Sequence, residues 1–150
     1  MKLYFVCTGN ICRSSFAHWY CEKQRAERGL DDLSVASFGT MVDGGLCVPD
    51  EAIEVAAEFE VDLTQHSPTA MQATLLHGDA LYLVMERKHA DAILRLNPML
   101  QGNVTLIGEY ARDVLSGAEI ADPWRKSSYY YRVCYSVLAK AIDRLLDDLA

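Results

Sequence analysis

The sequence predicts an α/β protein with a three-layer α/β/α architecture and a central four-stranded parallel sheet. Short apolar runs alternate along the chain with longer segments that repeat every three or four residues. A length of 150 residues suits one hydrophobic core, so we expect a single domain over residues 1–150. A 51% hydrophobic content with four prolines and nine glycines excludes a disordered or linker-like chain.

The first strand, helix and second strand are predicted from residues 3–38. Residues 3–6 are a compact apolar run typical of a buried strand. Ser14 and Ser15 supply helix-capping side chains, and Gly29 ends the helix that follows. Residues 33–38 alternate in polarity and predict the second strand. The apolar face expected for the helix consists of Phe16, Trp19, Tyr20 and Ala26.

A loop over residues 41–48 separates these elements from the rest of the predicted sheet. A second helix is expected to start at Pro49, with apolar residues Ile53, Ala56, Ala57 and Phe59. Strands over 80–85 and 104–107 enclose a third helix, 89–96, which ends before Pro98.

The last predicted helix, residues 128–149, has the most regular pattern in the chain. Apolar residues recur there through five turns. The face predicted to be buried consists of Val133, Cys134, Val137, Leu138, Ala141, Ile142, Leu145, Leu146 and Leu149.

Charge and cysteine content restrict the class of function. A net charge of −7 argues against a protein that wraps nucleic acid, which needs a broad basic surface, but it allows a local phosphate site. The apolar run at residues 3–6 is too short for a signal peptide, and no stretch approaches the length of a membrane span. We therefore expect a cytoplasmic protein without membrane insertion, whose five cysteines are thiols.

The segment from Cys7 to Ser14, CTGNICRS, carries the strongest chemical signal. In a turn between a strand and a helix, successive backbone N–H groups can point inward and bind an anion together with the helix N-terminus. Gly9 permits close approach of the backbone, and Arg13 can form two parallel hydrogen bonds to phosphate oxygens. The same positive surroundings favour a Cys7 thiolate, a nucleophile suited to attack phosphorus.

Taken alone, a cysteine and an arginine six positions apart carry little information. The usual explanation is a buried thiol at a strand end and an unrelated arginine. The strand–loop–helix context and the additional Gly9, Asn10 and Ser14 favour the phosphate site.

At these residues the sequence resembles the low-molecular-weight protein tyrosine phosphatases. Residues 6–14 resemble the signature of that family, and Asp122-Pro123-Trp124 resembles its Asp-Pro-aromatic loop. Further landmarks in the same order are Ser37–Thr40, Asp62-Leu63 with His66, and Leu83–Glu86 with His89. The resemblance covers nearly the whole chain.

The resemblance implies a two-step phosphoryl transfer without cofactor or metal. Cys7 would attack phosphotyrosine, while Arg13 and the loop N–H groups stabilise the equatorial oxygens. Asp122 would protonate the leaving tyrosyl oxygen and then activate the water that hydrolyses phosphocysteine. Without the Cys7–Ser14 motif, Asp122 would be interpreted as a surface turn residue.

The remaining expected site residues support these three. Phosphate binding is assigned to Thr8, Gly9, Asn10, Ile11, Cys12, Arg13 and Ser14. The Ser14 hydroxyl either donates to the Cys7 sulfur or caps the helix. The substrate pocket is assigned to Ile11, Met41 and Trp124, with a buried core position as the alternative for Trp124. The resemblance also supports a reversible Cys7–Cys12 disulfide that protects the nucleophile from overoxidation.

Within this family, the sequence most resembles a bacterial subgroup associated with polysaccharide export and tyrosine autokinases. The residues that carry this resemblance are Met85-Glu86 with His89, the segment 102–108, and the run from Asp122 to Ser127. The implied partner is a phosphotyrosine protein, with a tyrosine autokinase as the candidate, and the expected state is a monomer.

Two other functions are compatible with the same fold. A thiol arsenate reductase needs relay cysteines, and the chain has none between Cys47 and Cys134. A silent phosphopeptide-binding module would not need both Cys7 and Asp122. The segment 41–48, the run Ser67–Thr69 after His66 and the tryptophan at 124 depart from the family pattern, so the substrate preference stays open.

Overall fold

The central sheet has four parallel strands, as predicted. The computed structural model describes all 150 residues. The strands are β1 (Lys2–Cys7), β2 (Ser34–Gly39), β3 (Ala80–Val84) and β4 (Val104–Leu106). Each lies within two residues of its predicted position, and their order across the sheet is β2-β1-β3-β4.

Helices cover both faces of the sheet, which confirms the three-layer architecture. They are α1 (Arg13–Glu27), α2 (Asp50–Glu58), α3 (Arg87–Leu96) and α4 (Ser128–Leu149). Helices α1, α2 and α4 share one hydrophobic cluster, while α3 packs in a smaller cluster on the opposite face. None of the helices is long and apolar enough to span a membrane.

Strand β1 is buried on both faces, which explains its continuous apolar run. Leu3 and Phe5 join the larger cluster beneath α1 and α4. Tyr4 and Val6 point to the smaller cluster, where the Tyr4 ring stacks on Tyr82 with centroids 5.3 Å apart. A strand in the middle of a parallel sheet needs apolar side chains in both directions.

Helix α4 has the predicted bounds, but its buried face includes residues that the apolar pattern missed. Val133 is 46% exposed, whereas Tyr131 and Tyr135 are in the core. The Tyr135 hydroxyl donates to the Cys12 carbonyl at 2.8 Å, and its ring stacks on Phe16 at 4.0 Å. Burial of a tyrosine is tolerated here because its hydroxyl keeps a hydrogen-bond partner.

The other helices differ from prediction at single positions. Ala26 and Ala57 are exposed, so both were wrongly placed in apolar faces. In α2 the buried residues are Ala52, Val55 and Ala56, which follow the i, i+3, i+4 spacing more closely. Helix α3 begins at Arg87, because the Glu86 carboxylate and the His89 ring form a capping box at its start.

The strand order places a crevice at the carboxyl edge of the sheet. After β1 the chain continues to β2 on one side of β1, and it then returns to β3 on the other side of β1, so the direction of strand addition reverses there. Ligands of open α/β sheets bind outside the carboxyl ends of strands at such a reversal. Cys7 is the last residue of β1 and therefore lies at this point.

The observed face of α4 can be tested with two truncations in the same helix. Leu138→Ala should lower the free energy of unfolding by about 2–5 kcal/mol, because Leu138 is fully buried. Val133→Ala should change it by no more than about 0.5 kcal/mol, since that side chain is largely in solvent. Urea titrations measure both, and equal losses would contradict the observed face.

Candidate active site

The loop of residues 8–12 lies between β1 and α1 and is held from the side by β2. The Thr40 N–H donates to the Cys7 carbonyl at 3.0 Å, and the Met41 N–H donates to the Thr8 carbonyl at 2.9 Å. Gly39 is the contact point, because a Cβ there would lie 2.5 Å from the Thr8 carbonyl oxygen. The backbone of β2 therefore sets the position of the loop.

The loop presents several backbone donors with no acceptor inside the protein. The N–H groups of Thr8, Gly9, Ile11 and Cys12 donate to no backbone or side-chain acceptor. Donors left unpaired in one turn, next to the N-terminus of α1, form a cradle for an anion.

The Cys7 thiol lies at the base of this loop and is only 3% exposed. Its Sγ atom is 2.9 Å from the Ser14 hydroxyl and accepts the Asn10 N–H at 3.3 Å. Ser14 also accepts from the Asn10 side-chain amide at 2.7 Å, so its own hydrogen is directed to sulfur. Helix α1 has no side-chain cap, so of the two roles open to Ser14 the structure shows the contact with Cys7.

Asn10 braces the loop from behind and does not line the cleft. Its φ of 55° is in the left-handed region, which asparagine tolerates better than most residues. Its side-chain oxygen accepts the Thr69 N–H at 2.9 Å, and its carbonyl accepts from His66 Nε2 at 2.8 Å. Three parts of the chain thus hold one buried residue in place.

His66 was noted in the sequence without a role, and the structure gives it one. Its Nδ1 accepts the Trp19 indole N–H at 2.9 Å, while Nε2 donates to the Asn10 carbonyl. Burial lowers the pKa of His66, which keeps the ring neutral in the form that makes both bonds. No local sequence signal predicts this pair, since Trp19 and His66 lie 47 positions apart.

Arg13 is the most buried charged residue of the site, with 1% of its side chain exposed. Its Nη1 donates to Glu86 Oε2 at 2.5 Å and to the Ile120 carbonyl at 2.8 Å. Burial lowers the pKa of Arg13, but neighbouring Cys7, Asp122 and Glu86 raise it to a net value above the ordinary one. The guanidinium therefore carries its positive charge beside the thiol.

Asp122 lies across the cleft from the loop, in the segment that precedes α4. The Ile120 N–H donates to the Met85 carbonyl at 2.9 Å, which fixes this segment to the end of β3. Asp122 Oδ2 is 3.5 Å from Arg13 Nη2, and Oδ1 accepts the Trp124 N–H at 3.0 Å. The structure thus brings Asp122 to Cys7 and Arg13, although it follows both of them by more than 100 residues in the sequence.

These groups surround a cleft of about 140 Å³. Of the residues assigned to phosphate binding, Asn10 and Ser14 are behind the cleft wall, and the others line it. Ile11, Met41 and Trp124, the residues expected in the substrate pocket, are all in the lining. Asp43 and Leu46 also line the cleft and were missed, because nothing in a glycine-containing loop indicates which side chains turn inward.

His89 and Glu86 extend the support of the loop to α3. The His89 Nδ1 accepts the Glu86 N–H at 3.0 Å, so Nε2 carries the hydrogen that is shared with Thr8 Oγ1 at 2.9 Å. Burial, with Arg13 and Lys88 nearby, lowers the pKa of His89 to about 3. Thr8, His89, Glu86 and Arg13 therefore form one continuous chain of contacts.

The remaining cysteines differ from Cys7 in their surroundings. Burial raises the pKa of Cys12 to about 12, and its Sγ lies 3.5 Å from the Tyr131 hydroxyl. Burial likewise raises the pKa of Cys21 to about 12. All five cysteines are free thiols, and the predicted Cys7–Cys12 disulfide stays a prediction. No three His, Cys, Asp or Glu side chains converge in a metal-binding arrangement.

Comparison with known proteins agrees with the geometry. A family model for low molecular weight phosphotyrosine protein phosphatase matches residues 2–150. The tyrosine phosphatase AmsI of Erwinia amylovora is 32% identical over 145 residues, which are 97% of this chain and 94% of AmsI. The AmsI crystal structure superposes with a TM-score of 0.83, covering 98% of this chain and 91% of AmsI.

Two further solved structures of phosphatases are similar to this chain. Wzb of Vibrio vulnificus, solved in complex with benzylphosphonate, is 28% identical with a TM-score of 0.84, covering 98% of this chain and 97% of Wzb. The YwlE arginine phosphatase of Geobacillus stearothermophilus is 26% identical, also with a TM-score of 0.84, covering 99% of this chain and 92% of YwlE.

The dependence of the loop on Gly39 gives a first test of the site. Gly39→Ala places a methyl group against the Thr8 carbonyl and must displace the loop. Misplacing one hydrogen bond to a charged ligand costs roughly tenfold or more in affinity, so inorganic phosphate should bind at least that much more weakly. Isothermal titration calorimetry measures the affinity for inorganic phosphate. Gly78→Ala, at a position with open space, should bind like wild type, and equal affinities for all three would refute the role of Gly39.

The buried neutral His89 gives a second test, through pH. Its folded pKa of about 3 lies below the ordinary 6.5, so the unfolded chain binds a proton that the folded chain does not. The contribution of neutral His89 to the free energy of unfolding is therefore complete above pH 6.5 and is lost as the pH falls from there towards 3. Between pH 6 and 4, wild type should lose up to about 1.4 kcal/mol per pH unit more than His89→Gln in urea titrations. Parallel slopes would contradict a neutral His89.

Proposed function

The chain belongs to the low molecular weight phosphotyrosine protein phosphatase family and is a cysteine-dependent protein-tyrosine phosphatase, and we propose that Cys7, Arg13 and Asp122 carry its reaction. One observation supports these roles above all. The Cys7 sulfur lies at the base of a cleft whose wall combines unpaired backbone N–H groups, a buried guanidinium and a carboxylate.

In the first step, Cys7 Sγ attacks the phosphorus of phosphotyrosine. The S–P bond forms, the P–O bond to the tyrosyl ring breaks, and Asp122 in its protonated form gives its proton to the departing oxygen. The Ser14 hydroxyl and the Asn10 N–H stabilise the thiolate before attack. Arg13 and the N–H groups of the loop hold the three equatorial oxygens.

In the second step, the phosphocysteine is hydrolysed. The Asp122 carboxylate takes a proton from water, whose oxygen bonds to phosphorus as the S–P bond breaks. Inorganic phosphate leaves and the Cys7 thiolate returns. Asp122 is 46% exposed, so water reaches it without rearrangement of the core.

The cleft favours an aromatic substrate. Ile11, Met41, Leu46 and Trp124 give its walls apolar surface on several sides. A tyrosyl ring can pack there with its phosphate on the loop, an arrangement in keeping with the benzylphosphonate bound to the related Wzb. The similarity to an arginine phosphatase makes phosphoarginine the competing substrate, and the apolar lining argues for phosphotyrosine.

Other readings of the fold have less support. Arsenate reduction through a thiol relay would need a second thiol near Tyr82–His89, where the chain has no cysteine. A silent phosphopeptide-binding module would not need Asp122 opposite Cys7. The cellular role that we propose is dephosphorylation, in the cytoplasm, of a bacterial tyrosine autokinase of polysaccharide biosynthesis, by analogy with the subgroup that the sequence resembles.

Two substitutions test the assigned roles. Cys7→Ser should reduce hydrolysis of phenyl phosphate to background, because the nucleophile is lost. Asp122→Asn should lower kcat for phenyl phosphate by about 10²- to 10³-fold, within the usual range for general acid–base catalysis. The loss should be smaller for p-nitrophenyl phosphate, whose leaving group needs little protonation. Steady-state kinetics without added metal measure these values.

The control for Asp122 is Asp31→Asn, which removes a carboxylate from an exposed position after α1. Its kcat should equal that of wild type. An Asp122→Asn enzyme with equal losses on both aryl phosphates would show that Asp122 does not protonate the leaving group. Full activity in Cys7→Ser would remove the covalent mechanism.

A further inference from the structure

The unpaired cations of this acidic protein are concentrated beside the cleft. Nine of the 14 Lys and Arg side chains lie within 4.0 Å of a carboxylate. Lys2 is at the far end of β1. Of the other four unpaired cations, Arg95 on α3 and Arg125 and Lys126 after Asp122 line clefts that adjoin the site, whereas Arg87 at the start of α3 lines neither of these clefts.

Two larger clefts continue from the catalytic cleft on either side. One, of about 400 Å³, shares Thr8 and Met41 with it and contains Lys88 and Arg95. The other, of about 420 Å³, shares Leu46 and Trp124 and contains Arg125 and Lys126, with Glu51 as its one carboxylate. A peptide that inserts one side chain at Cys7 can extend over these adjoining clefts.

Arg125 is held in an unusual backbone conformation. Its φ is 62°, in the left-handed region that disfavours long side chains. The guanidinium lies over the Trp124 ring, 5.7 Å from the centroid, and Lys126 lies over the Tyr130 ring at 5.0 Å. These ring contacts hold both cations in the cleft beside the active site without neutralising their charge. Strain of this kind persists at binding sites more often than elsewhere.

We propose that these two side clefts bind anionic residues that flank the phosphotyrosine of the substrate, so that the enzyme prefers acidic phosphopeptides. The inference rests on the proposed function of the Cys7 cleft and specifies its substrate class. With a net charge of −7, the protein repels acidic chains in general. Arg95, Arg125 and Lys126 oppose this repulsion in the side clefts, whereas the carboxylates of Asp43 and Asp122 lie in the catalytic cleft itself. The flanking anions are carboxylates or further phosphotyrosines, which share the same chemistry.

Three phosphotyrosine peptides of one length test the preference. The first carries Asp and Glu on both sides of the phosphotyrosine, the second carries Asn and Gln at those positions, and the third carries a second phosphotyrosine in a neutral background. The readout is the ratio of kcat/KM for each anionic peptide to that for the neutral one. We expect a ratio of roughly ten for at least one of them, since a few exposed charge pairs add small increments, and a decline with salt.

The variant Arg125→Asn/Lys126→Gln removes the charges of one cleft while keeping a residue suited to positive φ at 125. Its ratio should fall at least threefold. Arg95→Gln should lower the ratio as well, through the other cleft. The control is Lys23→Gln/Arg28→Gln, which removes the same charge from the end of α1 roughly 15–22 Å from Arg13 along the helix. It should keep the wild-type ratio.

The outcomes separate this inference from the function on which it rests. Hydrolysis of phenyl phosphate that depends on Cys7, together with equal kcat/KM for all three peptides, would refute the acidic preference alone. A preference that persists in the Arg125→Asn/Lys126→Gln and Arg95→Gln variants would refute the assigned clefts. Absence of Cys7-dependent hydrolysis of any substrate would refute the proposed function itself.

Discussion

The buried guanidinium of Arg13 is the contact on which the rest of the site depends. Arg13 begins α1, and through its Nη1 it donates to the Glu86 carboxylate after β3 and to the Ile120 carbonyl. Its Nη2 faces Asp122. A charge with 1% exposure is costly to bury unless paired and hydrogen-bonded. These partners come from two connections of the sheet, Glu86 from the one after β3 and Ile120 and Asp122 from the one before α4. One side chain thus joins the nucleophile loop to the acid loop.

The supporting residues show how a weak local conformation becomes a fixed one. Asn10 and Arg125 both adopt positive φ, Asn10 behind the nucleophile loop and Arg125 shortly after Asp122. Asn10 is held by hydrogen bonds to Ser14, Thr69 and His66. The loop therefore has its substrate-binding shape before the substrate arrives. Such preorganisation avoids the cost of ordering donors during the reaction. Arg125 has only its contact with the Trp124 ring.

The sequence predicts most of the fold because strands buried on two faces and amphipathic helices leave distinct periodicities. It also places Cys7, Arg13 and Asp122 in the site, through a loop pattern and a resemblance. It does not reveal Asp43 and Leu46, whose direction depends on loop geometry, or the bonds of His66 and His89, which join residues 47 to 81 positions apart. Tyr131 and Tyr135 were missed for a related reason: their burial depends on partners supplied by α1 and its preceding loop.

Net charge and local charge have different consequences here. The seven excess negative charges lower the attraction for any anionic partner, but screening limits their reach to about 8–10 Å at physiological salt. The charged residues of the cleft lining are Arg13, Asp43 and Asp122, and the unpaired cations Arg125 and Lys126 line the adjoining cleft. Most other cations are paired with carboxylates and contribute little to an approaching ligand. An acidic protein can therefore hold a phosphate, because Arg13 and the unpaired N–H groups of the loop lie beside the nucleophile and the unpaired cations Arg125 and Lys126 lie in the adjoining cleft.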